Sequence, residues 1–261
     1  MNLNIKGRVA IVTGATKGIG LAIVKGLISE GVSVLLIARD KNILDSVVIQ
    51  LKEIGGDVYG LHGDVANSKL PDDALKFALI TWGKVDILIN NAGGPPLGSF
   101  FEHNSLNWDS AIQTNLLSVV RFSKTIASHM KENKWGRIIS ITSTIAKEPT
   151  PIMVLSATVR SGVSAFTKAI STELAASNIT ANVICPGGVL TERLTSLITT
   201  RAERENRNFH EVISESQLSI PMQRFATPEE IANTVLYLVS EPGGYITGVS
   251  LAVDGGLLKS F

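Results

Sequence analysis

Short runs of Val, Ile, Leu and Ala alternate with longer amphipathic stretches from one end of the chain to the other. The runs at 8–13, 33–38, 58–61, 86–90, 136–143, 180–184 and 250–253 are mostly continuous rather than alternating, which predicts parallel strands buried on both faces. Apolar positions at helical spacing predict helices over 19–30, 41–54, 71–81, 108–131, 162–176 and 228–239. Gly31, Gly55-Gly56 and Gly83 stand where C-terminal helix caps would. Repeated strand–helix units imply right-handed crossovers and helices on both sides of one sheet. The expectation is an α/β chain with a doubly wound parallel sheet of about seven strands in a single domain, 1–261.

One segment, about 190–223, interrupts this rhythm. It follows the sixth predicted strand and has weak helical periodicity. Arg193, Arg201, Arg204 and Arg207 lie beside Glu192, Glu203, Glu205 and Glu211. A long insertion past the carboxyl end of a strand is placed to cover a ligand crevice, so it reads as a substrate lid. A solvated helical hairpin is the other reading.

Composition narrows the classes. The chain has 261 residues, 44% hydrophobic, with 24 Lys plus Arg against 23 Asp plus Glu. That balance leaves no electrostatic footprint for nucleic acid or an anionic membrane surface. A single cysteine, Cys185, excludes an internal disulfide, and no Cys/His cluster has zinc-ligand spacing. No apolar run approaches the roughly 20 residues that span a bilayer, and no secretory leader precedes the first strand. A soluble cytoplasmic protein is expected.

The turn after the first strand reads Thr13-Gly14-Ala15-Thr16-Lys17-Gly18-Ile19-Gly20. Glycines there allow a tight turn and close approach to a pyrophosphate, whose charge rests on the following helix N-terminus. Strand two ends Ala38-Arg39, where an acidic residue would accept from an adenosine ribose 2′-hydroxyl. Arg39 with Lys17 favours a 2′-phosphate instead, and hence NADP(H) over NAD(H).

Further motifs follow in order: Asp64-Val65, Asn90-Asn91-Ala92-Gly93, Asn115, Ser143, Pro186-Gly187 with Val189 and Thr191, and Val253-Asp254-Gly255-Gly256. With the glycine-rich turn, this set resembles the short-chain dehydrogenase/reductase family across essentially the whole chain, most of all its β-ketoacyl-acyl-carrier-protein reductases. The resemblance implies a seven-stranded Rossmann sheet and a homodimer or homotetramer built through the long central helices. It assigns Gly14 to Lys17 to the phosphates, Asp64 and Val65 to the adenine, and Asn91 to the ribose nearer the nicotinamide. Val189 and Thr191 are assigned to the carboxamide.

The same resemblance exposes a gap. The family's chemistry rests on Asn, Ser, Tyr and Lys, of which Asn115 and Ser143 match. The Tyr-x-x-x-Lys pair is replaced by Ser156 and Arg160, and the only tyrosines are Tyr59, Tyr237 and Tyr245. Serine is a far weaker acid than tyrosine, and arginine keeps its proton, yet a guanidinium still offers charge and donors to a developing oxyanion. Three mechanisms stay open. The two serines hold the substrate oxygen while water or a substrate group supplies the proton; hydride adds to a conjugated carbon; or the crevice binds cofactor without redox chemistry. Apolar residues at Leu194, Leu197, Ile198, Val212, Ile213 and Leu218, and at Pro95, Pro96, Leu97, Phe100 and Phe101, suit an apolar or acyl carbonyl substrate. A catalytically silent NADP(H)-binding protein and a partner subunit are the rival classes.

Overall fold

The computed structural model describes residues 2–260. Seven parallel strands form one sheet in the order β3-β2-β1-β4-β5-β6-β7. They are β1 (Val9–Thr13), β2 (Ser33–Ala38), β3 (Val58–His62), β4 (Ile87–Asn90), β5 (Gly136–Ile141), β6 (Ile179–Pro186) and β7 (Ser250–Val253). The helices are α1 (Gly18–Ser29), α2 (Lys41–Glu53), α3 (Leu70–Trp82), α4 (Ser105–Ile112), α5 (Ser118–Asn133), α6 (Val154–Leu174), α7 (Glu192–Glu205), α8 (Phe209–Leu218) and α9 (Pro228–Val239).

Strands β1, β4, β5 and β6 are buried at every position, which explains their continuous apolar runs. Each sheet face carries its own core. One joins Val12, Leu36 and Ile89 to α1 and α9 through Ile23, Leu27 and Val235. The other joins Ile11, Leu88 and Ile138 to α3 and α5 through Ala78, Phe122 and Ile126. Between β1 and β4 the strand order reverses, so their carboxyl ends diverge into a crevice.

Three expectations change. The helix predicted over 108–131 is two helices joined by a π-helical segment, Gln113–Leu117, because the wider turn there re-aims one side chain, Asn115. The helix predicted from 162 begins at Val154, with Met153 at its N-cap, so Ser156 lies inside the first turn. The segment 190–223 is not weakly helical. Its helices α7 and α8 pack on a cluster of Ile198, Ala202, Val212, Ile220 and Phe225, which Leu257 joins from beyond β7, and its exposed charges hide the apolar stripe beneath them. Of the four glycines expected at helix ends, Gly31, Gly55 and Gly83 take positive φ; Gly56 does not.

The tightest constraint on sequence lies at Gly20, where a Cβ would sit 2.1 Å from the Gly14 carbonyl oxygen. Backbone cannot give way there cheaply. Gly20→Ala is expected to cost about 2 kcal/mol or more, a fall in Tm of roughly 4–8 °C. At Gly93 a Cβ meets nothing within 4 Å, and Gly93→Ala is expected to stay within about 0.5 kcal/mol. Thermal unfolding of the two variants checks both.

Candidate active site

The glycine-rich turn is held open by its neighbour across the crevice. Asn91, just beyond β4, donates from Nδ2 to the carbonyl oxygens of Thr13 (3.3 Å) and Gly14 (3.0 Å). Its backbone N–H donates to Thr13 Oγ1 at 2.9 Å, and that hydroxyl donates back to the Asn91 carbonyl oxygen at the same distance. The turn is thus locked against the β4 end. Helix α1 then starts at Gly18 with no side-chain cap and no acidic residue in its first turn. First-turn N–H groups without an internal partner, on the positive end of a helix dipole, make a cradle for an anion. The residues present therefore fit a dinucleotide's pyrophosphate.

The adenosine end is less simple than the sequence suggests. Asp40 is committed to capping α2 by accepting from the Ile43 N–H, which leaves Arg39 as the side chain free to reach a ribose substituent. Arg39 lies 3.9 Å from Asp64, and both are exposed. Lys17 does not join it; its Nζ meets Glu192 at 2.7 Å, at the start of α7. The convergence of Lys17 and Arg39 expected from sequence is absent, because each has found a carboxylate. Both pairs are solvent-exposed and weak, so an incoming phosphate can displace them. Asp64 accepts from the Ala66 N–H and caps no helix. Val65 and Ala92 line the crevice floor with Asn90 and Thr13.

At the far side, Pro186 ends β6, and a Cβ on Gly187 would lie 2.9 Å from the Asp254 Cα. Val189 is buried and bridges to Ala226. Thr191 is the N-cap of α7, accepting from the Leu194 N–H and donating to the Val189 carbonyl. Its methyl stands 3.1 Å from where a Gly18 side chain would begin, so α7 starts directly over the first turn of α1.

The replaced pair is assembled as one unit. Ser156 and Arg160 lie four apart on α6, and Arg160 Nε donates to Ser156 Oγ at 3.1 Å. Arg160 Nη1 donates to the carbonyl oxygen of Ile141, at the end of β5, at 3.1 Å. Two residues on, Ser143 accepts a long bond from the Ile145 N–H, 3.4 Å. Asn115, buried in the π-helical segment, donates to the Gly93 carbonyl oxygen at 2.8 Å. Burial draws the Arg160 pKa down to about 10, with the like charge of Arg193 adding to the effect. Arg160 is still a cation at neutral pH. A cavity of about 20 Å³ lined by Asn90, Asn91, Asn115 and Arg160 has room for one water. Tyr59, Tyr237 and Tyr245 lie on β3, α9 and the α9–β7 connection, so none takes the missing acid's place.

Several expected lining residues prove to be core. Ile198 and Val212 are buried inside the α7–α8 hairpin, with Leu194 and Ile213 packed on them, and Leu218 faces solvent. Lys131 and Lys134 precede β5 at the amino edge of the sheet, the edge opposite the crevice, and so lie away from the pocket. In the sequence Arg193 is one charge among several in the hairpin. The structure turns it inward, where Nη2 donates to the Pro95 carbonyl oxygen at 2.6 Å.

The family model for short chain dehydrogenase matches residues 8–202. The chain is a member of the short-chain dehydrogenase/reductase family. Over 252 residues it is 35% identical to a monensin polyketide synthase putative ketoacyl reductase of Streptomyces virginiae, covering 96% of this chain and 97% of that one. It is 32% identical to a 3-oxoacyl-[acyl-carrier-protein] reductase of Synechocystis sp., covering 97% and 98%. The crystal structure of L-sorbose reductase from Gluconobacter frateurii, complexed with NADPH and L-sorbose, superposes with a TM-score of 0.94 at 30% identity and full coverage of both chains. The fold is that of a short-chain reductase throughout. Among the described residues no helix is long and apolar enough to cross a membrane, and no group of His, Cys, Asp and Glu could hold a metal ion.

The hairpin's charges make its integrity pH-dependent. Arg201 and Arg207 hydrogen-bond Glu205 and Glu215 and hold both carboxyls below their usual value of 4.5. Carboxyls with a lowered folded pKa stabilise above the unfolded value and lose that contribution as pH falls through the folded one. Limited proteolysis should therefore cut within 190–223 faster below pH 4.5 than at pH 7. The double variant Arg201→Met/Arg207→Met should show the acid pattern already at neutral pH.

Proposed function

We propose that this protein is an NADP(H)-dependent reductase that transfers a hydride to a carbonyl, or to a conjugated alkene, of a largely apolar or acyl substrate. Ser143, Ser156, Arg160 and Asn115 form its reacting pocket, and the 190–223 hairpin is the lid over it. The observation that carries the reading is the Arg160–Ser156 bond on α6, anchored to β5 through Ile141. A site that had decayed would have little reason to keep a cation in that geometry.

When bound, the nicotinamide cofactor supplies the hydride. The chain's own residues do the rest. Ser156 Oγ accepts from a cation, which leaves its proton free to point at a substrate oxygen and makes that proton a better donor. Ser143 offers a second hydroxyl two residues beyond the Arg160 anchor. Arg160 supplies positive charge toward the oxygen as negative charge develops there. It does not give up its proton at neutral pH, so the proton that completes the product comes from water, for which the cavity beside Asn115 has room. Asn115 fixes the Gly93 carbonyl and so the wall of the pocket. Losing a positioned phenol costs about 10²–10⁴ in rate, so turnover is expected to be slow. An oligomer through the central helices is part of the proposal.

NADPH oxidation followed at 340 nm, with ketones, ketoacyl thioesters, quinones and enones, tests the reaction. Arg160→Met is expected to lower kcat/KM at least about 10-fold; unchanged turnover and NADPH affinity would remove Arg160 from the site. Ser156→Tyr/Arg160→Lys is expected to raise turnover of simple ketones. NADPH binding with no turnover in the wild type, and activity only in that double variant, would favour a cofactor-binding protein instead. Arg39→Ala is expected to weaken NADPH about 10- to 100-fold and leave NADH within about twofold. Equal affinities for NADH and NADPH in the wild type would overturn the cofactor assignment.

A further inference from the structure

Two guanidinium groups meet at the loop after β4 with no counter-ion among the described residues. Arg160 Nη2 and Arg193 Nη2 each lie 3.3 Å from the point where a side chain at Gly94 would begin, so at most twice that distance separates them. Gly94 keeps this gap clear, since any Cβ would crowd both cations. Arg160 is tied by Nε to Ser156 and by Nη1 to Ile141, and Arg193 by Nη2 to Pro95. Nη2 of Arg160, with Nε and Nη1 of Arg193, has no acceptor among the described residues. Among the described residues neither arginine forms an ion pair, whereas Arg201, Arg204 and Arg207 of the same hairpin all do.

Like charges this close, partly withdrawn from water, cost stability until an anion joins them. Burial lowers the pKa of each, and Arg193 lowers that of Arg160 further. The free donors suit a planar two-oxygen acceptor. One guanidinium also spans two functions: its Nε holds the serine proposed to meet the reacting oxygen, and its Nη2 faces the Gly94 gap.

We propose that Arg160 and Arg193 clamp a carboxylate, and that the substrate is a free oxo acid whose carboxylate lies one or two carbons from the carbonyl. A thioester, with no charge at that position, would leave both cations uncompensated. The inference rests on the reductase reading for its chemistry. Hydride adds to the carbonyl carbon, the C=O electron pair moves to oxygen, and that oxygen takes a proton from water. The products are a hydroxy acid and oxidised cofactor, with the carboxylate unchanged.

Calorimetric titration of the protein loaded with the oxidised cofactor NADP+, which has no hydride to give, with medium-chain 2-oxo and 3-oxo acids, against their methyl esters, tests the clamp apart from turnover. At least one acid is expected to bind about 10- to 100-fold more tightly than its ester. Arg193→Met should abolish that preference, Arg193→Lys should restore part of it, and NADPH affinity should stay within about twofold. Arg204→Met, which removes the other arginine contact from α7 to the Glu102 region, controls for a loosened hairpin. Equal binding of acid and ester, no binding of any acid, loss of NADPH affinity in Arg193→Met, or the same loss of acid binding in Arg204→Met would each overturn the clamp. Acid binding through Arg193 without NADPH oxidation would uphold the clamp and count against the reductase reading. Reduction of esters with no preference for acids would do the reverse.

Discussion

The crevice depends on the contact between Asn91 and the β1 turn. Where strand order reverses, β1 and β4 stay paired as far as Val12 and Ile89, and beyond that pair the two connections leave the sheet in opposite directions. Asn91 ties them together with its side-chain amide on Thr13 and Gly14 and its backbone on the Thr13 hydroxyl. The turn so fixed brings the Gly14 carbonyl within 2.1 Å of a would-be Gly20 Cβ, which is why α1 can start where it does. The anion cradle at the start of α1 sits on the turn that this lock fixes.

On the other side of the pocket, α6 and β5 share a second anchor. An arginine four residues after a serine on a helix reaches back along its own face, and here it also reaches the last residue of the neighbouring strand. The geometry makes a hydroxyl polarised by a cation, a weaker device than a phenol beside an ammonium but one of the same sense. The π-helical turn at Asn115 serves the same wall through Gly93. Such local widening of a helix is common at functional sites because it moves one side chain off the regular face.

The α7–α8 hairpin combines a small apolar cluster with a set of arginine–glutamate pairs. The polar ties of α7 to the body are Lys17 to Glu192, Arg193 to Pro95, and Arg204 to Glu102 and Leu97, and a backbone bond from Met222 to Gly255 fastens the far end of the segment. Exchange of the α7 ties would leave the apolar cluster beneath the hairpin in place. Those ties touch the glycine-rich turn and the β4 loop, the two walls between which a ligand would lie.

Much of the fold was legible in the sequence. Continuous Val and Ile runs mark strands buried on both faces, and their order with the glycine turn and the Asn91 and Asn115 motifs marks the family. The substitution of Ser156 and Arg160 was equally plain, because it is a matter of spacing alone. The hairpin's apolar stripe was masked by a dense run of charges, and the break at Asn115 by helical periodicity that a π turn scarcely disturbs. Residue order cannot say which of four hairpin arginines turns inward, nor that Lys17 is held by Glu192, 175 positions away. Such pairings depend on how α7 crosses the crevice, and that crossing is set by packing between segments distant in sequence. The chemistry of the pocket therefore came from the chain's composition at a few positions, and its electrostatics from tertiary structure alone.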